Sequence, residues 1–204
     1  MFDRDSEIIY NNYLLIESKN IPLISIDIQP AYEKWCSRIM GNFVNFLNSH
    51  TDGIYYFYNG SEVGIDDNDE SIKYWLMDYG VNEDVLDRII FKEKGYAFFR
   101  NFMNGGMDRH ELIKVIRYMV MNRINDSRDI EDDKWRDILG DKYEEFSDLV
   151  LSDNIYLPDI SIGHLKSLGG CYLCGGGKDE CLSEFRFLLE SFNIRYKLIQ
   201  SLIY

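Results

Sequence analysis

Short apolar, β-branched runs alternate with segments of helical period along almost the whole chain, and this alternation narrows the fold more than any other feature. "IPLISIDIQ" (21–29) reads as a buried strand that ends at Asp27–Gln29. Pro30 then opens "AYEKWCSRIMGNFVNFLNSH", where Trp35, Ile39, Phe43, Phe46 and Leu47 recur at helical spacing. "IYYFYN" (54–59) is a second strand, "ESIKYWLMDYG" a helix closed by Gly80, and "DRIIFK" (87–92) a third strand. "GYAFFRNFMNGG" starts another helix, and residues 107–150 are mostly helical, with positions 112, 115, 116 and 119 on one face. "GCYLCGG" is a fourth strand, "DECLSEFRFLLESF" a helix and "IRYKLIQSLIY" a closing strand. Strands separated by helices call for right-handed crossovers and a mostly parallel sheet covered on both faces. The expected fold is a three-layer α/β/α domain spanning residues 1–204.

Charge limits the partners. The formal net charge of -13 would repel a nucleic-acid duplex or an anionic membrane. No apolar run is long enough to span a bilayer, and "MFDRDSEIIYNN" lacks the basic-then-apolar order of a secretion signal. The expectation is therefore a cytoplasmic protein whose four cysteines stay free thiols.

In a parallel sheet, ligands sit at the carboxyl ends of the strands. That rule selects Asp27–Gln29, Lys92 and the turn Gly175–Cys181. Each has a plain reading beside the chemical one. Asp27 is either a buried functional acid or a cap for the next helix. Lys92, flanked by Glu93 and Lys94, is by itself an ordinary surface lysine. Cys181 is either a small apolar residue at a helix start or a nucleophile whose thiolate the helix N-terminus supports. Cys171 and Cys174 share a strand, so alternation sends them to opposite packed faces and against joint chelation. Cys36 lies in a helix and reads as core. The only three histidines, at 50, 110 and 164, are not paired, which argues against a metal site.

Taken in order, these motifs resemble the isochorismatase-like cysteine hydrolase superfamily, which includes nicotinamidases and carbamoylsarcosine amidases. In that family the first strand ends in Asp-x-Gln with an aromatic five residues after the Asp, matched here by Asp27, Gln29 and Tyr32. The third strand ends in a Lys followed by Ala-Phe, matched by Lys92, Ala97 and Phe98. The fourth runs through a Gly, often an Asp, to the nucleophilic Cys, matched by Gly175, Asp179 and Cys181. The likeness covers roughly residues 21–100 and 165–204. There are departures. "YFYNGSEVGIDD" lacks the histidines of the metal-bearing members, Gly177 replaces the usual Ala or Thr, and Glu180 stands directly before Cys181. About 107–160 looks like a helical insertion, and relatives usually continue into a helix beyond the point matching Tyr204.

The resemblance implies a hydrolase of an amide-like C–N bond in a small molecule. Cys181 would attack, Asp27 would shuttle the proton, and Lys92 would hold Asp27 charged. Backbone N–H groups of Gly177 and Cys181 would form the oxyanion hole, aimed by a cis peptide between Gly176 and Gly177. Gln29, Tyr32 and Phe98 would contact substrate. No cofactor or metal is implied, and relatives are commonly homo-oligomers. Two alternatives stand beside this. One is an inactive or repurposed scaffold that binds a small ligand or a protein partner. The other is the vinyl-ether chemistry of isochorismatases proper, which can dispense with the Cys that this chain has.

Overall fold

The computed structural model describes residues 21–60, 64, 66–95 and 97–204. Five strands form one parallel sheet: β1 Leu23–Ile26, β2 Ile54–Asn59, β3 Ile89–Lys94, β4 Cys171–Gly175 and β5 Tyr196–Leu198. Their order across the sheet is β3-β2-β1-β4-β5. The chain is α/β, with helices on both sides of the sheet as the alternation predicts. Every residue of β1 is buried, as expected of a central strand covered on both faces.

On one face, Leu23, Tyr56, Tyr58 and Cys174 pack with Phe43 and Leu47 of α1 (Met40–Ser49) and Ile72 and Leu76 of α2 (Asp69–Asp78). Asn68 caps α2 by accepting from the Glu70 and Ser71 amides, each at 3.0 Å. Past the end of α2, Gly80 adopts a φ of 95° that suits glycine. On the opposite face, Phe57 meets Phe185 of a later helix with ring centroids 5.3 Å apart.

Three elements depart from the sequence reading. The helix opened by Pro30 begins as a 3₁₀ turn (Pro30–Tyr32), one α-turn (Glu33–Cys36) and a second 3₁₀ turn (Ser37–Ile39) before α1. These tighter turns advance the helical phase, so Cys36 is buried and Trp35 is 53% exposed. β3 ends at Lys94, two residues later than predicted. The closing strand has only three residues, and a 3₁₀ turn (Gln200–Leu202) follows it.

The chain divides into two compact units. One ends at Lys94 and resumes over Ser161–Tyr204, and it holds the whole sheet. The other is Gly95–Ile160, which contains the helical stretch at about 107–160. Within this second unit, α3 (Arg109–Asn122) buries Leu112, Val115, Ile116 and Met119, the predicted stripe. Phe102 stacks on Trp135 of α4 (Asp132–Leu139), and Tyr143 and Phe146 of α5 (Tyr143–Ser152) are buried. Among the described residues no helix is long and apolar enough to cross a membrane.

Candidate active site

β1 leads through α1 to β2 on one side of the sheet. β4 leads through α6 (Cys181–Ser191) to β5 on the other. The strand order therefore reverses direction between β1 and β4, where open α/β sheets form their ligand crevice. Asp27 follows β1 at this point and the glycine turn follows β4.

Asp27 leaves the strand with a φ of 56°, a left-handed conformation in which aspartate is tolerated but held. Its amide donates to the Phe57 carbonyl at 2.8 Å, and its carbonyl accepts from Tyr204 Oη at 2.6 Å. Across from it, Gly175 pairs with Ile26 in the ladder at a φ of 78°. A Cβ on Gly175 would lie 2.2 Å from the Ile26 carbonyl oxygen, so only glycine fits. Gly176 is also left-handed, with a φ of 61°. These two residues turn the chain into α6, whose first residue is Cys181. The Gly176–Gly177 peptide is trans, which corrects the expected cis bond.

The lysine at the site is Lys94, not Lys92. Its Nζ lies 3.0 Å from Asp27 Oδ1 and 3.6 Å from Cys181 Sγ. The Asp27 side chain also hydrogen-bonds the thiol. All three side chains are buried. The register explains the exchange. β2 and β3 continue pairing past the end of β1, through Tyr58↔Glu93 to Asn59↔Lys94. Lys92 lies opposite Phe57, within the ladder and half-buried on the edge strand. Lys94, one pleat later on the same face, stands where β1 has ended. Two strand spacings, about 10 Å, separate β3 from β1, a gap the long lysine and aspartate side chains close together.

The electrostatics differ from a thiolate supported by a helix N-terminus. Burial pushes the Cys181 thiol up to about 12, Asp27 adds to the rise, Lys94 opposes it, and Glu184, one turn further along α6, raises it again. Burial acts to lower the Lys94 ammonium, but the Asp27 and Cys181 charges reverse this and leave it raised. The thiol, raised by burial, thus stands beside the Lys94–Asp27 ion pair. Glu184 is 1% exposed. Glu180, directly before Cys181, is exposed, and its carboxylate lies against Gly177.

Gln29 bonds across to the end of β2. Its amide donates to the Asn59 carbonyl at 2.8 Å and to Asp67 Oδ2 at 2.7 Å, while its Oε1 accepts from the Asn59 amide at 2.8 Å. Both amide donors are thus engaged in tying the end of β1 to the end of β2. Tyr32 is half-buried, and its hydroxyl accepts from Asn59 Nδ2 at 2.9 Å. Phe98 is buried in the second unit, where its carbonyl accepts from the Tyr156 amide. Cys171, Cys174 and Cys36 are free and buried. Cys174 belongs to the α1–α2 face, so strand alternation places Cys171 on the other. Among the described residues no group of three or more His, Cys, Asp or Glu is placed to hold a metal ion. The expectation about "YFYNGSEVGIDD" lies partly, and that about residues 1–12 wholly, outside the described residues.

Sequence reading missed Lys94, Tyr204 and Glu184. A signal existed for two of them. Gly95 punctuates the strand directly after Lys94, and Glu184 is an acid on the apolar stripe that carries Cys181 and Leu188. No protein-family model matches the chain, and comparisons with curated proteins and with solved structures found no match.

The thiols set an alkaline limit on stability. Burial raises Cys36 to about 11, Cys174 to about 12 and Cys171 as well, from an ordinary value of 9.0. The folded state binds these protons more tightly than the unfolded state. The stability they contribute is fully present below about pH 9 and is lost as the pH rises through the folded values. Lys94 is also raised, so its contribution fades with the same sign above its ordinary 10.5. Thermal melts under reducing conditions should show Tm falling steadily between about pH 9 and about pH 10.5. Cys171→Ala, which removes a shift caused by burial alone, should flatten that fall. A Tm independent of pH over this range would contradict the assignment.

Proposed function

We propose that the chain is a divergent isochorismatase-like cysteine hydrolase that cleaves an amide-like C–N bond of a small molecule through a thioester on Cys181. The observation that carries this reading is one ammonium, Lys94 Nζ, within 3.0 Å of a carboxylate and 3.6 Å of a thiol at the switch point of a parallel sheet. The sulfur attacks the substrate carbonyl carbon as Asp27 takes the thiol proton. Lys94 touches both groups, so the negative charge passes from carboxylate to sulfur without leaving its counter-ion. The carbonyl oxygen, now negative, takes hydrogen bonds from the Gly177 and Cys181 amides. The C–N bond then breaks, and the amine leaves with the proton held by Asp27. Water attacks the thioester, Asp27 accepts its proton, and the acid product departs as the thiol is restored.

The test is intact-mass analysis during incubation with a panel of small primary amides and ureides. The expected result is a transient adduct of the acyl mass on Cys181 that hydroxylamine removes. A second reading, a ligand-binding scaffold without turnover, is favoured by a thiol that is 5% exposed and pushed up to about 12. On that reading, panel compounds raise Tm while no adduct and no product form.

A further inference from the structure

We propose that Tyr204 is a positioning residue for the Asp27–Lys94–Cys181 site: its hydroxyl clamps the Asp27 peptide in the left-handed turn that aims the carboxylate between ammonium and thiol. This rests on the hydrolase reading for its meaning, but its test does not need turnover.

Asp27 is one of few non-glycine residues with positive φ among those described. Such a conformation persists only where its surroundings fix it. Both polar groups of the residue's backbone are fixed. The amide is bound by the Phe57 carbonyl of β2, and the carbonyl is bound by Tyr204 at 2.6 Å. Tyr204 comes from the far side of β1. Its segment is tied to β4 through the Ile199 amide, which donates to the Leu173 carbonyl at 3.0 Å, and its ring packs on the α1–α2 core. The tyrosine therefore couples a rigid strand to the one residue whose conformation sets the site. Burial raises its hydroxyl, so it stays a donor at every working pH. The charges facing the sulfur are Asp27 after β1, Lys94 at the end of β3 and Glu184 on α6, with Tyr204 beside them.

Tyr204→Phe keeps the ring and removes only the clamp. A loosened Asp27 presses less on the thiol and leaves Lys94 to the sulfur, and both changes lower the thiol pKa. The probe is iodoacetamide alkylation of Cys181 as a function of pH, followed by peptide mass. The midpoint should move down by about half a unit in Tyr204→Phe, the size of one hydrogen bond's influence. It should move further down in Asp27→Asn. In the Asp27→Asn background, Tyr204→Phe should add nothing, because it acts through that carboxylate. Thermal melts show that each variant is folded. A midpoint unmoved by Tyr204→Phe while Asp27→Asn shifts it overturns the clamp. A midpoint unmoved by Asp27→Asn overturns the site itself, which separates the two failures.

Discussion

Cys181→Ser is expected to lower amide hydrolysis by at least about 10³-fold while leaving the melting curve within a degree or two of the parent. The size follows from the site's division of labour. Asp27 and Lys94 act on a sulfur proton, and a serine hydroxyl in the same place is a far weaker acid that the same carboxylate does not deprotonate. The small change in stability follows from shape, since serine replaces the sulfur with a smaller oxygen beside two polar partners that can still bond it. The other cysteines of "CYLCGGGKDECLSEF" should behave in the opposite way. Cys171 and Cys174 are both 0% exposed in packed strand positions. Cys171→Ala and Cys174→Ala should each cost about 1 kcal/mol through lost packing and leave turnover unchanged. The check is steady-state hydrolysis and thermal melts on the three variants side by side. Full activity in Cys181→Ser, or an active-site loss without destabilisation in Cys174→Ala, would move the chemistry elsewhere.

The strand–helix alternation made the architecture legible, because period and composition are local properties that a covered parallel sheet imposes on every strand. "LISI" is buried on both faces and reads as an unbroken apolar run. Asp27 and Cys181 were legible for a related reason. Each lies immediately beyond a strand or at the first residue of a helix, and such places carry turn chemistry that the sequence displays. What the sequence hid was set by register and by tertiary approach. Two lysines two residues apart share one face of β3, and only the length of β1 beside them decides which one stands clear of the ladder. Trp35 fits a helical stripe, but the 3₁₀ turns around it rotate the stripe away. Tyr204 meets Asp27 across 177 positions of chain, a pairing that no local pattern encodes. The thiol's high pKa was hidden as well. A helix N-terminus is visible in sequence, whereas the burial and the two acids that outweigh it appear only once α6 is packed.

Lys94→Met is expected to cost about 3–5 kcal/mol of stability, because it leaves the Asp27 carboxylate buried without its cation. Lys92→Met should change stability by less than about 1 kcal/mol, as for other partly exposed charges. The contrast matters because the two residues are identical in type, adjacent on one strand face and equally compatible with a lysine that ends the third strand. Only the geometry separates them, with Lys94 Nζ 3.0 Å from Asp27 and 3.6 Å from Cys181. Asp27→Asn in the Lys94→Met background should recover part of the loss, since removing both charges leaves no uncompensated ion. The thiol reports the same change independently. Lys94 is the group that lowers the Cys181 pKa, so its removal should push alkylation to still higher pH and slow it at every pH below that. Urea denaturation of the four proteins gives the stability series, and the alkylation profile gives the electrostatic one. Wild-type behaviour in Lys94→Met together with lost thiol reactivity in Lys92→Met would return the role to Lys92 and refute the register on which the site is built.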